Sequence, residues 1–128
     1  MAIRDLVILL ASMEPVLDRR DYGYACVTAL PAGVPVFATV AEAEGLTLVA
    51  LAEDLAAAGI AHQARWARIS LTVTSDLAAV GLTAAIAGAL AERGISANVV
   101  AGYHHDHILV QRDRADEAMA VLRALADA

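Results

Sequence analysis

The second half of the chain has the clearest pattern of apolar and polar positions. Residues 69–74 alternate apolar and hydroxyl side chains, which predicts a strand with one buried face. Residues 77–90 then carry small apolar side chains at helical spacing. Ser75 and Asp76 are good N-cap residues for this helix, and Gly94 is expected to end it.

A β-hairpin is predicted next, because two apolar runs, residues 97–101 and 108–110, flank a short polar segment that begins at Gly102. Asp113 is then expected to cap a last helix over residues 114–125, whose apolar positions share one face. The predicted order is therefore strand, helix, strand, strand, helix. This is a ferredoxin-like βαββαβ unit that lacks its last strand.

The first half is predicted to contain a helix, a loop and several strands. The spacing of Ile3, Leu6, Leu10 and Met13 predicts a helix, and Pro15 is expected to end it and to open a loop that runs to residue 21. The pattern then predicts extended segments at 22–30, 36–40 and 46–50, a short helix at 53–58 closed by Gly59, and a semi-polar connection at 62–68 that carries Trp66. A spare strand from this half is expected to complete the second half, giving an α+β fold of two interlocked half-units.

Composition excludes several classes of function. The 128 residues suffice for one compact domain or two very small ones. The net charge is −6 and the nine basic residues are all arginine, so no basic stripe is expected to bind nucleic acid. No apolar run approaches the ~20 residues of a membrane-spanning helix, and Asp5 offsets Arg4 where a signal peptide would be positive. A cytoplasmic protein is expected, in which Cys26 is a buried structural thiol.

Several segments resemble the ACT domain, a small-molecule-binding regulatory module. Residues 69–84 look like the start of such a domain, and residues 94–102 resemble its second strand. With residues 43–49, 80–83 and 98–110, they resemble small bacterial proteins that have a divergent first ACT-like unit and a clearer second one. The resemblance implies tandem ferredoxin-like units, residues 1–62 and 63–128, which share strands and have helices on one face of antiparallel sheets.

The same resemblance implies that the protein senses an amino acid or a similar small molecule, without catalysis or a cofactor, and forms a homodimer or a higher homo-oligomer. A helix N-terminus offers unpaired N–H groups to a carboxylate, and a glycine lets a ligand approach the backbone. In the simpler alternative, these residues only cap a helix and pack it. The expected ligand-binding residues are Ser75, Asp76, Leu77, Val80, Gly81, Leu82, Asn98 and Val99.

Two other functions remain open at this point. His104, His105, Asp106 and His107 could hold a transition metal in a small metal-dependent enzyme, although strand alternation would separate them onto two faces. We favour a structural role for this segment, in which Asp106 makes a turn bond and a histidine holds a neighbouring segment. The other alternative is an assembly module without a ligand, which bulky side chains above Gly81 would favour.

Overall fold

The structure is a computed structural model that describes residues 5–127. Within these residues the chain forms four α-helices and six strands, and a 3₁₀ turn at Arg112–Arg114 leads into the last helix. In chain order the elements are α1 (Leu6–Ala11), β1 (Pro15–Val27), β2 (Ala38–Glu42), β3 (Gly45–Leu51), α2 (Ala52–Ala57), β4 (Gln63–Leu71), α3 (Leu82–Ala91), β5 (Asn98–Ala101), β6 (Asp106–Gln111) and α4 (Ala115–Asp127). None of the described helices is long and apolar enough to cross a membrane.

The chain divides into two compact units, and β1 and β4 each run from one unit into the other. The larger unit contains the described residues up to Arg19 and those from Ala67 onward. Its strand order is β1-β4-β6-β5, in which β5 and β6 form an antiparallel hairpin with Val99 opposite Ile108. A strand from the first half therefore supplies the missing fourth strand. The predicted α+β, ferredoxin-like fold class is confirmed.

The core of the larger unit lies between the sheet and its helices. Strand alternation directs Ala67, Ile69 and Leu71 of β4 into it, each with 0% of its surface exposed. The helices cover this same face of the sheet. Their fully buried side chains in this cluster include Leu9 of α1, Leu90 of α3 and Leu122 of α4.

The smaller unit contains residues 20–66 and is described by itself. Its strands are antiparallel in the order β2-β3-β1, with Gly23 opposite Ala50. One face of this sheet packs with α2 in a core of four buried residues: Ala25, Leu48, Ala50 and Leu55. Away from this core the aromatic rings make edge-to-face contacts, with centroids 6.1 Å apart for Tyr22 and Phe37 and 5.7 Å apart for Tyr24 and Trp66.

The predicted loop after Pro15 and the predicted connection at residues 62–68 are both wrong, because β1 begins at Pro15 and β4 begins at Gln63. A proline is compatible with the first position of a strand, where no ladder hydrogen bond from its nitrogen is needed. Local composition alone predicts loops for the polar residues that follow Pro15 and for residues 62–68. The pairing of β1 with β4, which is a long-range interaction, holds them in strands instead.

The prediction that Cys26 is buried is wrong, because its side chain is exposed. Along β1, alternation places Ala25 in the core of the smaller unit and directs Cys26 to the opposite face. Residues of this apolar segment therefore differ in burial, although their local sequence looks uniformly apolar.

Two element boundaries also differ from the predictions, at the first helix and at the last. The first helix spans Leu6–Ala11, with an N-cap bond of 3.1 Å from Ile8 N to Asp5 Oδ1, and Ile3 lies outside the described residues. Asp113 does not cap the last helix, since it lies within the 3₁₀ turn that continues into α4. The left-handed glycines expected after α2 and α3 are present, with φ of 68° at Gly59 and 69° at Gly94.

Candidate functional site

The connection from β4 to α3 is a loop of ten residues, 72–81. Asp76 Oδ1 accepts a hydrogen bond from Ala78 N at 2.7 Å, and the carbonyl of Asp76 accepts one from Ala79 N at 2.9 Å. An aspartate that bonds its own backbone two residues on favours a turn over a helix. Gly81 then takes φ = 99°, which lies outside the helical region.

The helix therefore begins at Leu82 and not at residue 77, and the expected N-cap role of Ser75 and Asp76 is wrong. Gly81 occupies the N-cap position, and no side chain caps this helix. Because the first N–H groups of a helix have no intrahelical acceptor, those of Leu82 and Thr83 remain available to an anion. Both residues also line a small cavity beside the loop.

Two serine side chains link the β4 region to β6. The hydroxyl of Ser75 donates to Asp106 Oδ2 at 3.1 Å, and Ser70 Oγ lies 2.8 Å from Nδ1 of His107, within hydrogen-bonding distance. Burial lowers the pKa of the His107 imidazole, and the nearby charges of Arg68 and His105 lower it further against the opposing effect of Asp106. Through its bond to Ser75, Asp106 of β6 holds the loop between β4 and α3 in place.

The cavity beside the loop has a volume of about 150 Å³. It brings together five of the eight residues expected to bind ligand: Ser75, Asp76, Leu77, Gly81 and Leu82. It does not include Val80, which is 83% exposed, or Asn98 and Val99, which lie at the far end of β5. We name this the Ser75 cavity.

Ala101 and Asp106 complete the lining of the Ser75 cavity, together with Ala79 and Thr83. Ala101 and Asp106 are paired across the hairpin at the end nearest its turn, which Gly102 N closes by donating to the carbonyl of His105 at 2.9 Å. The sequence predicts the position of the hairpin turn but does not single out, as ligand contacts, Ala101 and Asp106, which line this cavity, while Asn98 and Val99 lie at the other end of β5. The position of the turn was the available signal, since paired residues beside it lie at the same end of both strands.

The space directly above Gly81 is occupied by a side chain of α1. A Cβ atom added to Gly81 would lie 3.1 Å from Leu6 Cδ2. Leu6 therefore packs where a larger residue at position 81 would project. The Ser75 cavity remains open beside this contact, with the backbone of Gly81 as part of its wall.

The histidines of the hairpin do not converge. Within residues 5–127, no three side chains of His, Cys, Asp or Glu are grouped so that they could hold a metal ion. Asp106 bonds to Ser75 and His107 to Ser70, while the ring of His104 makes an edge contact with Tyr103, which is 80% exposed.

Three comparisons with known proteins bear on this fold and site. Two family models, both described as ACT domain, match residues 61–124 and residues 1–67. No functionally curated protein matches the sequence. A solved structure from Vibrio cholerae, described as a protein of unknown function and a possible transport protein, is 46% identical, with 98% of this chain and 99% of that chain covered and a TM-score of 0.85.

More distant solved structures share the fold. A protein from Agrobacterium tumefaciens is 18% identical over 84% of both chains, with a TM-score of 0.71. The regulatory subunit of aspartate kinase from Thermus flavus is 12% identical, with 89% of this chain and 98% of that chain covered and a TM-score of 0.61. Since the two family matches span nearly all of the sequence, the chain belongs to the ACT domain family.

Proposed function

We propose that this chain is a regulatory ACT-domain protein that binds a small amino acid in the Ser75 cavity. Membership of the family supports a regulatory role without catalysis. The observation that carries the proposal is the uncapped start of α3 facing a cavity whose wall includes the Asp106 carboxylate. We extend the proposal to an assembly of two or more copies in the cytoplasm, in which ligand changes the contacts of the assembly.

The two ends of an amino acid match the two sides of the Ser75 cavity. Its carboxylate would accept hydrogen bonds from the N–H groups of Leu82 and Thr83, where the helix dipole also favours negative charge. Its ammonium group would be held by Asp106, whose Oδ2 already accepts a hydrogen bond from the Ser75 hydroxyl. Charge-assisted hydrogen bonds of this kind are about twice as strong as neutral ones.

The size of the cavity favours a ligand with a short side chain. Its volume of about 150 Å³ is below the range of about 300–1,000 Å³ that is typical of small-molecule sites. Leu6 limits the space further on the side of Gly81. Glycine, alanine and serine are therefore the amino acids that we expect to fit without displacement of α1.

We keep the division of the chain into family segments 1–62 and 63–128 as part of the proposal. The two family matches overlap at residues 61–67, which supports a boundary in this region. The compact units divide the chain differently, because β1 enters the larger unit from the first segment. The proposed ligand site lies wholly in the second segment.

A thermal-shift experiment tests the proposal. Ligand at about 100 times its Kd adds about 2.7 kcal/mol to the free energy of unfolding, which corresponds to a rise of several degrees in Tm. Glycine, alanine and serine are expected to give this rise, and tryptophan is expected to give none, because its side chain is too large for a cavity of about 150 Å³. Nucleobases serve as a further negative set, because they lack the ammonium and carboxylate pair.

Asp106→Asn should abolish the rise in Tm while the protein stays folded, because the amide still accepts a bond from Ser75 but carries no charge. Asp113→Asn is the matched control, since Asp113 is exposed in the 3₁₀ turn and does not line the cavity. The proposal fails if none of the three small amino acids shifts Tm at millimolar concentration, or if Asp106→Asn responds as the wild type does.

A second candidate function is an assembly module whose ligand pocket has closed. The contact of Leu6 with Gly81 is the observation that favours it. Leu6→Ala distinguishes the two functions, because it enlarges the space above Gly81. A larger response to alanine or serine in Leu6→Ala supports a site that α1 restricts, whereas no response in either protein supports the assembly module.

A further inference from the structure

A larger cavity lies in the larger unit, between the start of β1 and α4. Its volume is about 470 Å³, and its lining includes Glu14, Val16, Arg123, Ala126 and Asp127. A neighbouring cavity of about 460 Å³ shares Val16 and Arg123 with it. We name the first of these the Arg123 cavity. Its volume lies within the range of about 300–1,000 Å³ that is typical of small-molecule sites, and it is more open to solvent than the smaller Ser75 cavity.

The charges around the Arg123 cavity do not neutralise one another by direct contact. The structure gives Arg123 no ion pair with any residue in the described part of the chain, although Glu14 and Asp127 line the same cavity. In the neighbouring cavity, by contrast, Arg19 and Asp116 pair at 2.7 Å. A cation and carboxylates that line one cavity without pairing are complementary to a ligand that carries both charges.

The backbone at Glu14 is held in one position. Glu14 has φ = 43°, which a residue with a side chain rarely adopts. Thr72 holds this turn through two bonds of 3.0 Å, from its N–H to the carbonyl of Met13 and from its hydroxyl to the carbonyl of Glu14. A backbone fixed in this way is already ordered before a ligand binds, which lowers the entropic cost of binding.

Apart from Thr72, the remaining lining of the Arg123 cavity is aliphatic: Ala11, Pro15, Val16 and Ala126. Val16 is 55% exposed, and Ala126 lies one helical turn beyond Arg123. This surface offers an apolar contact beside the charged groups. The combination differs from the Ser75 cavity, where polar side chains and a helix terminus supply most of the wall.

We propose that the Arg123 cavity is a second binding site, for a small zwitterion with an aliphatic side chain. The carboxylate of the ligand pairs with Arg123, its ammonium group lies against Glu14 or Asp127, and its side chain covers Val16. This assignment does not depend on the ligand of the Ser75 cavity.

NMR titration of the uniformly ¹⁵N-labelled full chain tests the assignment, with L-leucine as the probe. Leucine is expected to cause saturable shifts at the amides of Val16 and Asp127 and at the Arg123 side-chain Nε. Two analogues each lack one charge: 4-methylpentanoate and 3-methylbutylamine. Each is expected to bind about tenfold more weakly or worse, because it loses one charge-assisted contact.

Arg123→Gln should raise the Kd of leucine by about tenfold or more, and it should fold normally because Arg123 is exposed and unpaired among the described residues. Arg65→Gln, an exposed position of the smaller unit, is the matched control and should leave the Kd unchanged. The assignment is overturned if leucine causes no saturable shift at Val16 or Asp127, or if Arg123→Gln binds as tightly as the wild type. Shifts confined to the residues around Ser75 would likewise overturn it, while supporting the proposed function.

Discussion

The two units differ in the length of the connection between a strand and the helix that follows it. In the smaller unit β3 ends at Leu51 and α2 begins at Ala52, so no loop separates them. In the larger unit ten residues separate β4 from α3. The shorter connection contains no loop residues, whereas the longer one forms part of the wall of the Ser75 cavity.

The two units also differ in the size of their hydrophobic cores. Sixteen of the described residues form the buried core of the larger unit, and four form that of the smaller unit. A larger core can hold a loop in an irregular conformation, because the surrounding elements are fixed independently of it. We therefore expect the conformation of the ten-residue loop to depend on the packing of the larger core.

The largest expected losses of stability follow from substitutions in the two hydrophobic cores. Leu122 and Leu55 are both fully buried, one in each unit. Replacement of either by alanine is expected to lower the free energy of unfolding by about 2–5 kcal/mol. Leu122→Ala should lie toward the upper end, because a cavity within the larger core has more fixed neighbours and collapses less. Urea unfolding monitored by circular dichroism measures both, and an equal or larger loss for Leu55→Ala would contradict the comparison.

Replacement of either of two glycines with positive φ is expected to cause an intermediate loss of stability. Gly59 has nothing within 4 Å of an added Cβ, so Gly59→Ala should cost only the left-handed conformation, about 1–2 kcal/mol. At Gly81 φ is 99°, and an added Cβ would also contact Leu6. Gly81→Ala should therefore lower the free energy of unfolding by more, up to about 3 kcal/mol. Urea unfolding of each single variant measures the difference between the two positions.

A double variant shows whether the contact with Leu6 is responsible. If it is, Gly81→Ala should cost less in a Leu6→Ala background, and the two substitutions should not be additive. Full additivity would mean that the backbone conformation alone determines the cost at position 81. The larger unit would then hold its loop without help from α1.

The smallest effect is a dependence of stability on pH that originates in the larger unit. The pKa of His107 is lowered in the folded protein. As the pH falls, the imidazole of His107 is therefore protonated at a higher pH in the unfolded chain than in the folded chain. The contribution of His107 is therefore complete above the ordinary histidine pKa of about 6.5. It is lost progressively as the pH falls below that value.

His107→Asn should reduce this slope, because asparagine does not titrate but still presents an oxygen to Ser70. Urea unfolding between about pH 5 and pH 8 measures the slope on either side of the ordinary histidine pKa. His104→Asn, at an exposed position of the hairpin turn, is the control and should keep the part of the slope that His107 supplies. If His107→Asn keeps the full slope, a different group is responsible.

Features of the fold that depend on local sequence are predictable from the sequence. Gly59 and Gly94 end helices because a left-handed residue is needed there, and the hairpin of β5 and β6 follows from its turn residues. The resemblance of several segments to the ACT domain predicts the family of the chain, and the two family matches confirm this prediction.

Long-range pairing explains most of what the sequence did not predict. Pro15 and the polar residues after it form a strand because β4 is their neighbour, which local composition does not indicate. The start of α3 was misplaced because Asp76 bonds its own backbone in preference to capping a helix. Asp106 was assigned to a turn, and its link to Ser75 depends on two segments that lie 31 residues apart.

The shared strand has a consequence for how the gene can be divided. A fragment of residues 63–128 would match a family segment well, yet it would leave the edge of β4 without the strand that borders it in the larger unit. Such an edge is a template for pairing with another chain. Recombination or truncation at the family boundary would therefore favour strand exchange between copies, and a functional transplant has to carry β1 with it.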